Sequence, residues 1–106
     1  MAVTISTALT PTRTTLSATP DVATKFTLPR NARRIIVQFI TNAGKIAWTG
    51  TDAVAIGSSY LTVVSNTPYV FTIGGGMGNR KIDETATAIY LASGTASTVV
   101  EIIVEF

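Results

Sequence analysis

The stretch TVVEIIVEF, residues 98–106, leaves little room for anything but a β-strand. Val100, Ile102, Val104 and Phe106 fall on every second residue, and Glu101 and Glu105 fall between them. Successive strand side chains point to opposite faces, so this period of two makes one apolar face and one wet face. The segment reads as a half-buried strand whose register is fixed by its burial. Val, Ile and the abundant Thr are β-branched and pack well on a pleated surface.

The same logic runs through the chain. Short apolar runs alternate with Gly, Pro, Asn and Asp, the punctuation of strands and turns. Residues 3–9, 12–18 and 24–28 read as the first three strands, with Thr24, Phe26 and Leu28 on one face of the third. RIIVQFIT, residues 34–41, is the strongest strand and is apolar on both faces: Ile35, Val37 and Phe39 on one, Ile36 and Ile40 on the other. A strand of that kind is expected at the centre of a sheet, covered on both sides. In a β-protein this small, a neighbouring subunit is one source of the second cover. Residues 42–44 are expected to close a tight hairpin into 45–49, where Ile46 and Trp48 point the same way. Residues 53–59 form a loop of small residues. YLTVV (60–64), a turn at 65–68 and YVFTI (69–73) follow, with Tyr69, Phe71 and Ile73 on one face. The strand at 88–92 turns at 93–95 into the last one. No segment has a convincing helical period, although one turn of helix around 83–87 fits. About eight or nine strands with short connections predict an all-β fold, an antiparallel β-sandwich of jelly-roll-like form. The 106 residues suit a single domain without linkers or repeats.

Composition narrows the function classes. Cysteine and histidine are both absent. That removes disulfides, a thiolate nucleophile, the commonest general base and the commonest zinc ligand. Without histidine no Ser-His-Asp triad exists, and neither Lys45 nor Lys81 stands in a motif with a serine. The expectation is a protein that is not an enzyme and holds no cofactor or metal. A formal net charge of +2 points to neither nucleic acid nor membrane. The N-terminal residues show no signal peptide, so synthesis in a cytoplasm is expected. Only 13% of the residues are charged, against about 25% in ordinary domains. Such a surface is often buried against partners.

GGGMGNRK, residues 74–81, looks most like chemistry. A P-loop needs GxxxxGK followed by Ser or Thr, between a strand and a helix. Here Asn79 and Arg80 follow Gly78, and Ile82 follows Lys81. The GxGxxG fingerprint fails as well, since the sixth position is Asn79 or Lys81. A loop in which glycine permits positive φ is the preferred reading, with phosphate binding by Arg80 and Lys81 as the alternative.

Arg30, Arg33 and Arg34 cluster around a turn. They are read either as a grip on an acidic partner or as solvated residues in surface ion pairs. Asp83 and Glu84 are adjacent, so on an extended chain they face apart and make no catalytic pair. Asp21 and Asp52 sit in turn contexts, where Asp bonds its own backbone. Trp48, Tyr60, Tyr69 and Tyr90 are candidates for a sugar-stacking platform, weighed against core and interface packing.

The segments RIIVQFITNAGKIAWTG, YLTVVSNTPYVFTI and AIYLASGTASTVVEIIVEF, the last ending in an ASGTA hairpin and a Val/Ile/Glu strand, carry a resemblance. In these the chain resembles the small β-rich structural proteins of tailed bacteriophages. The resemblance implies a capsid decoration (cement) protein in the virion, often a trimer, that binds the major capsid protein and clamps neighbouring subunits. Arg30, Arg33, Arg34, Arg80 and Lys81 are its candidate partner-binding residues. Residues 1–18 are read either as an arm that adds a strand to a neighbour or as the first two strands of the fold. A tail, collar or head-fibre component and a carbohydrate-binding module are the rival readings.

Overall fold

The structure, a computed structural model, describes residues 2–5, 10–29, 32–72 and 88–105. These form nine strands and no helix: β1 (Ala2–Thr4), β2 (Thr12–Thr15), β3 (Thr24–Thr27), β4 (Arg34–Phe39), β5 (Gly44–Ala47), β6 (Leu61–Val63), β7 (Tyr69–Thr72), β8 (Ala88–Ala92) and β9 (Val99–Glu105). One sheet has the order β1-β3-β8-β5-β6 and the other β2-β9-β4-β7. Phe26, Ile46, Val63, Ile89 and Leu91 from the first sheet meet Ile35, Val37, Phe39, Val100, Ile102 and Val104 from the second in one buried core. The fold is therefore an all-β sandwich. Each such side chain, fully buried, contributes about 1.5–3 kcal/mol relative to an exposed one.

Strand pairing follows a nested rule. β2 pairs with β9, β3 with β8, β4 with β7 and β5 with β6, all antiparallel. The chain is one long hairpin whose two arms cross between the sheets together. Hydrogen bonds between the arms continue through one such crossing: Leu16 N–H donates to Thr98 O (2.8 Å), Ser97 N–H to Ser17 O (3.0 Å) and Asp21 N–H to Ser93 O (2.7 Å). Folding this hairpin over itself sets β4 beside β9 and β5 beside β8. β1 stands outside the rule and runs parallel to β3, the one parallel strand pair among the described residues.

The nesting corrects two expected hairpins. Residues 42–44 do not join paired strands, because β4 and β5 lie in different sheets. The segment is a crossing, packed so closely that a Cβ on Gly44 would run into the Phe39 ring. The ASGTA segment likewise carries the chain from β8 in one sheet to β9 in the other. Its corner is built by buried hydroxyls. Ser93 Oγ donates to Ala43 O (2.7 Å) and accepts from Thr95 N–H (3.1 Å), and Thr98 Oγ1 lies 3.0 Å from Ser93 Oγ and 2.9 Å from Thr95 O. Turn residues are blind to this distinction, since a short turn serves a hairpin and a sheet-to-sheet corner equally.

The segment 2–18, in its described parts, is the first two strands: β1 pairs with β3 and β2 with β9. Ile5 is buried in the core at its end. The tip of the long hairpin, residues 48–60, folds back over the start of β3. Val22 and Ala55 form a bridge, Ala23 N–H donates to Val54 O (2.8 Å), and Lys25 N–H donates to Asp52 Oδ1 (2.8 Å).

Candidate functional site

Strand alternation and register define two outer faces and two edges. On the outer face of the four-stranded sheet, three rows cross the strands. Arg13, Glu101 and Gln38 stand in one row, Ile103, Ile36 and Val70 in the next, and Glu105, Arg34 and Thr72 in the third. The outer rows hold ion pairs. Arg13 Nε donates to Glu101 Oε2 at 3.0 Å, and Arg34 Nε to Glu105 Oε1 at 2.7 Å. Between them runs the apolar row, with Ile36 and Ile103 half-buried and Val70 56% exposed. The second apolar face of RIIVQFIT is thus a band only partly covered by its own neighbours.

The five-stranded sheet presents a more polar face. The Lys45 ammonium lies 3.0 Å from Asp21 Oδ1 and 4.7 Å from the centre of the Tyr60 ring. The hydrogen bond to Asp21 raises the Lys45 pKa above its ordinary value, against an opposing effect of desolvation, and the charge of Asp21 adds to the rise. Lys45 is therefore a cation held in place by an anion on one side and a π face on the other.

The two ends of the sandwich differ sharply. On one side the edge strands are β1 and β2. β1 and β6 are both three residues long, and β2 follows Pro11 as β7 follows Pro68, so what sets this end apart is the charge of Arg13 on β2. Charge on an edge strand is one of the usual ways to blunt it against pairing. On the other side the edge strands are β6 and β7, and no charged residue occurs in the described residues 53–72. Most of the large apolar side chains exposed among the described residues lie there: Trp48 (45%), Tyr60 (41%), Leu61 (46%), Val64 (55%) and Val70, whereas Val54 sits over the start of β3. Trp48 reaches across the opening between the sheets and meets Phe71 edge-on, with ring centres 5.3 Å apart. The turn joining the two strands is fixed from within, since Val64 N–H donates to the Tyr69 hydroxyl (3.0 Å) and Asn66 N–H to Phe39 O (2.6 Å). Asn66 takes the left-handed conformation (φ 57°) that asparagine tolerates. In its described residues this wall is uncharged and carries exposed apolar side chains.

The other sequence candidates fall elsewhere. Arg30, Arg80, Lys81, Asp83 and Glu84, with the whole GGGMGNRK loop and the suggested turn of helix at 83–87, lie outside the described residues. Arg33 is exposed, and its backbone N–H donates to Glu105 O (2.8 Å). Arg34 points onto the outer face and pairs with Glu105. The four aromatics are not presented alike. Trp48 is engaged with Phe71, Tyr60 lies under Lys45, Tyr69 is half-buried against the core, and Tyr90 lies beneath Gly50. Among the described residues no three acidic side chains gather where they could hold a metal ion, and no helix is long and apolar enough to cross a membrane. The β6–β7 wall escaped the motif reading, although the uncharged run 53–79 marks it in the sequence.

The fold and this wall define a small all-β sandwich whose described edge strands carry charge at one end and none at the other. No family model matches the chain, and no curated protein and no solved structure matches it.

Proposed function

We propose that this chain is a structural protein of a bacteriophage virion, of the capsid-decorating kind. It acts by binding surfaces and not by catalysis. The observation that carries the reading is the uncharged, apolar β6–β7 wall, the part of the molecule best suited to burial against another protein. The nested strand order supports it. We read that order as a jelly roll, the two-sheet, double-Greek-key form found in viral capsid and lectin domains. The resemblance of the strand segments to phage structural proteins points the same way.

In this reading the partner is the major capsid protein, and many copies on one symmetric shell turn a modest contact into a durable one. The exposed Arg33 and the Arg34–Glu105 pair sit at the rim of the outer face, where charge sets orientation more than affinity. A trimer, which the resemblance implies, would close head to tail, with different surfaces of neighbouring copies in contact. A tail, collar or head-fibre location uses the same surfaces.

The test is co-sedimentation of the purified protein with shells of the phage that encodes it, beside a glycan-binding screen. Saturable binding to shells and none to glycans is expected. Glycan binding without shell binding would overturn the reading in favour of the lectin-like one.

A further inference from the structure

The β6–β7 wall has a geometry that restricts what can cover it. Among the described residues β6 and β7 each pair on one side only, one in each sheet, and the Trp48–Phe71 contact puts their edges on the same side of the molecule. Packed sheets are about 10 Å apart, so a single extended peptide satisfies only one of the two edges. A partner that satisfies both must offer two strand edges at that spacing. The chain itself carries such a pair of edges, at this wall.

We infer that the β6–β7 wall is a self-association surface, and that its occupant is the same wall of a second copy. The symmetry is simple. A two-fold axis normal to the sheets reverses strand direction and keeps each sheet in its layer. It sets β7 antiparallel to its counterpart and β6 antiparallel to its counterpart, continuing both sheets across the joint. A two-fold contact brings each residue's surroundings against their own copy, so a charged edge would repel itself. The described residues 53–72 remove that objection, because they contain no charge. At the opposite end the same contact would set Arg13 of β2 near its own copy, like charge against like. Pairing would also bury Val64 and Val70, two of the most exposed large apolar side chains among the described residues.

This inference assigns to a second copy the wall that the virion reading gives to the shell, and the measurements separate them: a doubled mass without shells assigns the wall to the pair, and a monomer that binds shells assigns it to the shell. A two-fold pair forms without any shell, whereas decoration is read by binding to shells.

The experiment is solution mass by size exclusion with light scattering on the full chain at high concentration. A mass about twice 11.1 kDa is expected. Val70→Lys and Thr72→Lys each place a like charge across the axis on an exposed β7 position, and each should run as a monomer with an unchanged circular dichroism spectrum. Thr15→Lys, on exposed β2 at the opposite end, should stay dimeric. A monomeric wild type, a mass three times the chain's, or a Val70→Lys or Thr72→Lys protein that remains dimeric would each overturn the inference. The three-fold result would also favour the head-to-tail ring.

Discussion

Gly44→Ala tests the packing that lets the chain cross between sheets. A Cβ at Gly44 would enter the Phe39 ring and come within 2.7 Å of the Ala92 carbonyl oxygen. Neither neighbour is free to yield. Phe39 is fully buried, and Ala92 is held in β8 opposite Lys45. If the methyl fitted, its burial would add about 0.8 kcal/mol. Alanine's lower unfolded-state entropy would add roughly 0.4–1 kcal/mol more. Overpacking a filled core costs about 1–3 kcal/mol and sometimes more, and here two fixed groups clash at once. The methyl does not fit, so its burial gain is forgone, and the upper end of that cost, about 3 kcal/mol, less the entropy gain leaves a loss of about 2 kcal/mol. In a domain of this size that lowers the melting temperature by about 10 °C, at roughly 4–8 °C per kcal/mol. Gly57→Ala is the control, because a Cβ there meets nothing within 4 Å. It should leave the melting temperature unchanged or raise it slightly. Adding Phe39→Leu removes the ring edge, so the double variant should lose less than the two single losses combined. Thermal denaturation followed by circular dichroism reads all four proteins. A Gly44→Ala protein that melts with the wild type would refute the close crossing.

Other outcomes follow from the same contacts. Ser93→Ala removes a buried hydroxyl bonded to Ala43 O, Thr95 N–H and the buried Thr98 hydroxyl, and should cost about 1–3 kcal/mol in denaturant titration. Arg13→Ala and Arg34→Ala break exposed ion pairs, and each should cost less than about 1 kcal/mol, with the difference shrinking in high salt. Ile5→Ala, which hollows the core where β1 ends, should cost about 2–5 kcal/mol, so removal of residues 2–10 would weaken the fold as well as any contact made by the segment.

The sandwich was legible because period-two burial is a local property. In the last strand, Val100, Ile102 and Val104 are all fully buried, as their alternation requires. Thr24, Phe26 and Leu28 share a buried face for the same reason. Connectivity was less legible. Residues 42–44 and the ASGTA segment have hairpin-like composition, yet both are crossings between sheets, and nothing local distinguishes the two outcomes. Long-range pairing decides, here β4 with β9 and β5 with β8. The parallel pairing of β1 was equally hidden, since side-chain alternation is the same in parallel and antiparallel strands. The candidate surface was half legible. Low overall charge suits a surface for burial, but motifs mark basic clusters and not a stretch where charge is missing. Only the strand order shows that residues 61–63 and 69–72 are edge strands of the two sheets.

Hydrogen–deuterium exchange at two protein concentrations tests most directly that the molecule works through its β6–β7 wall. Amides of residues 61–63 and 69–72 should be protected in concentrated solution and exchange faster on dilution, while residues 2–4 and 12–15 at the opposite end exchange alike in both. Protection at residues 61–63 and 69–72 that is the same at both concentrations would contradict the account.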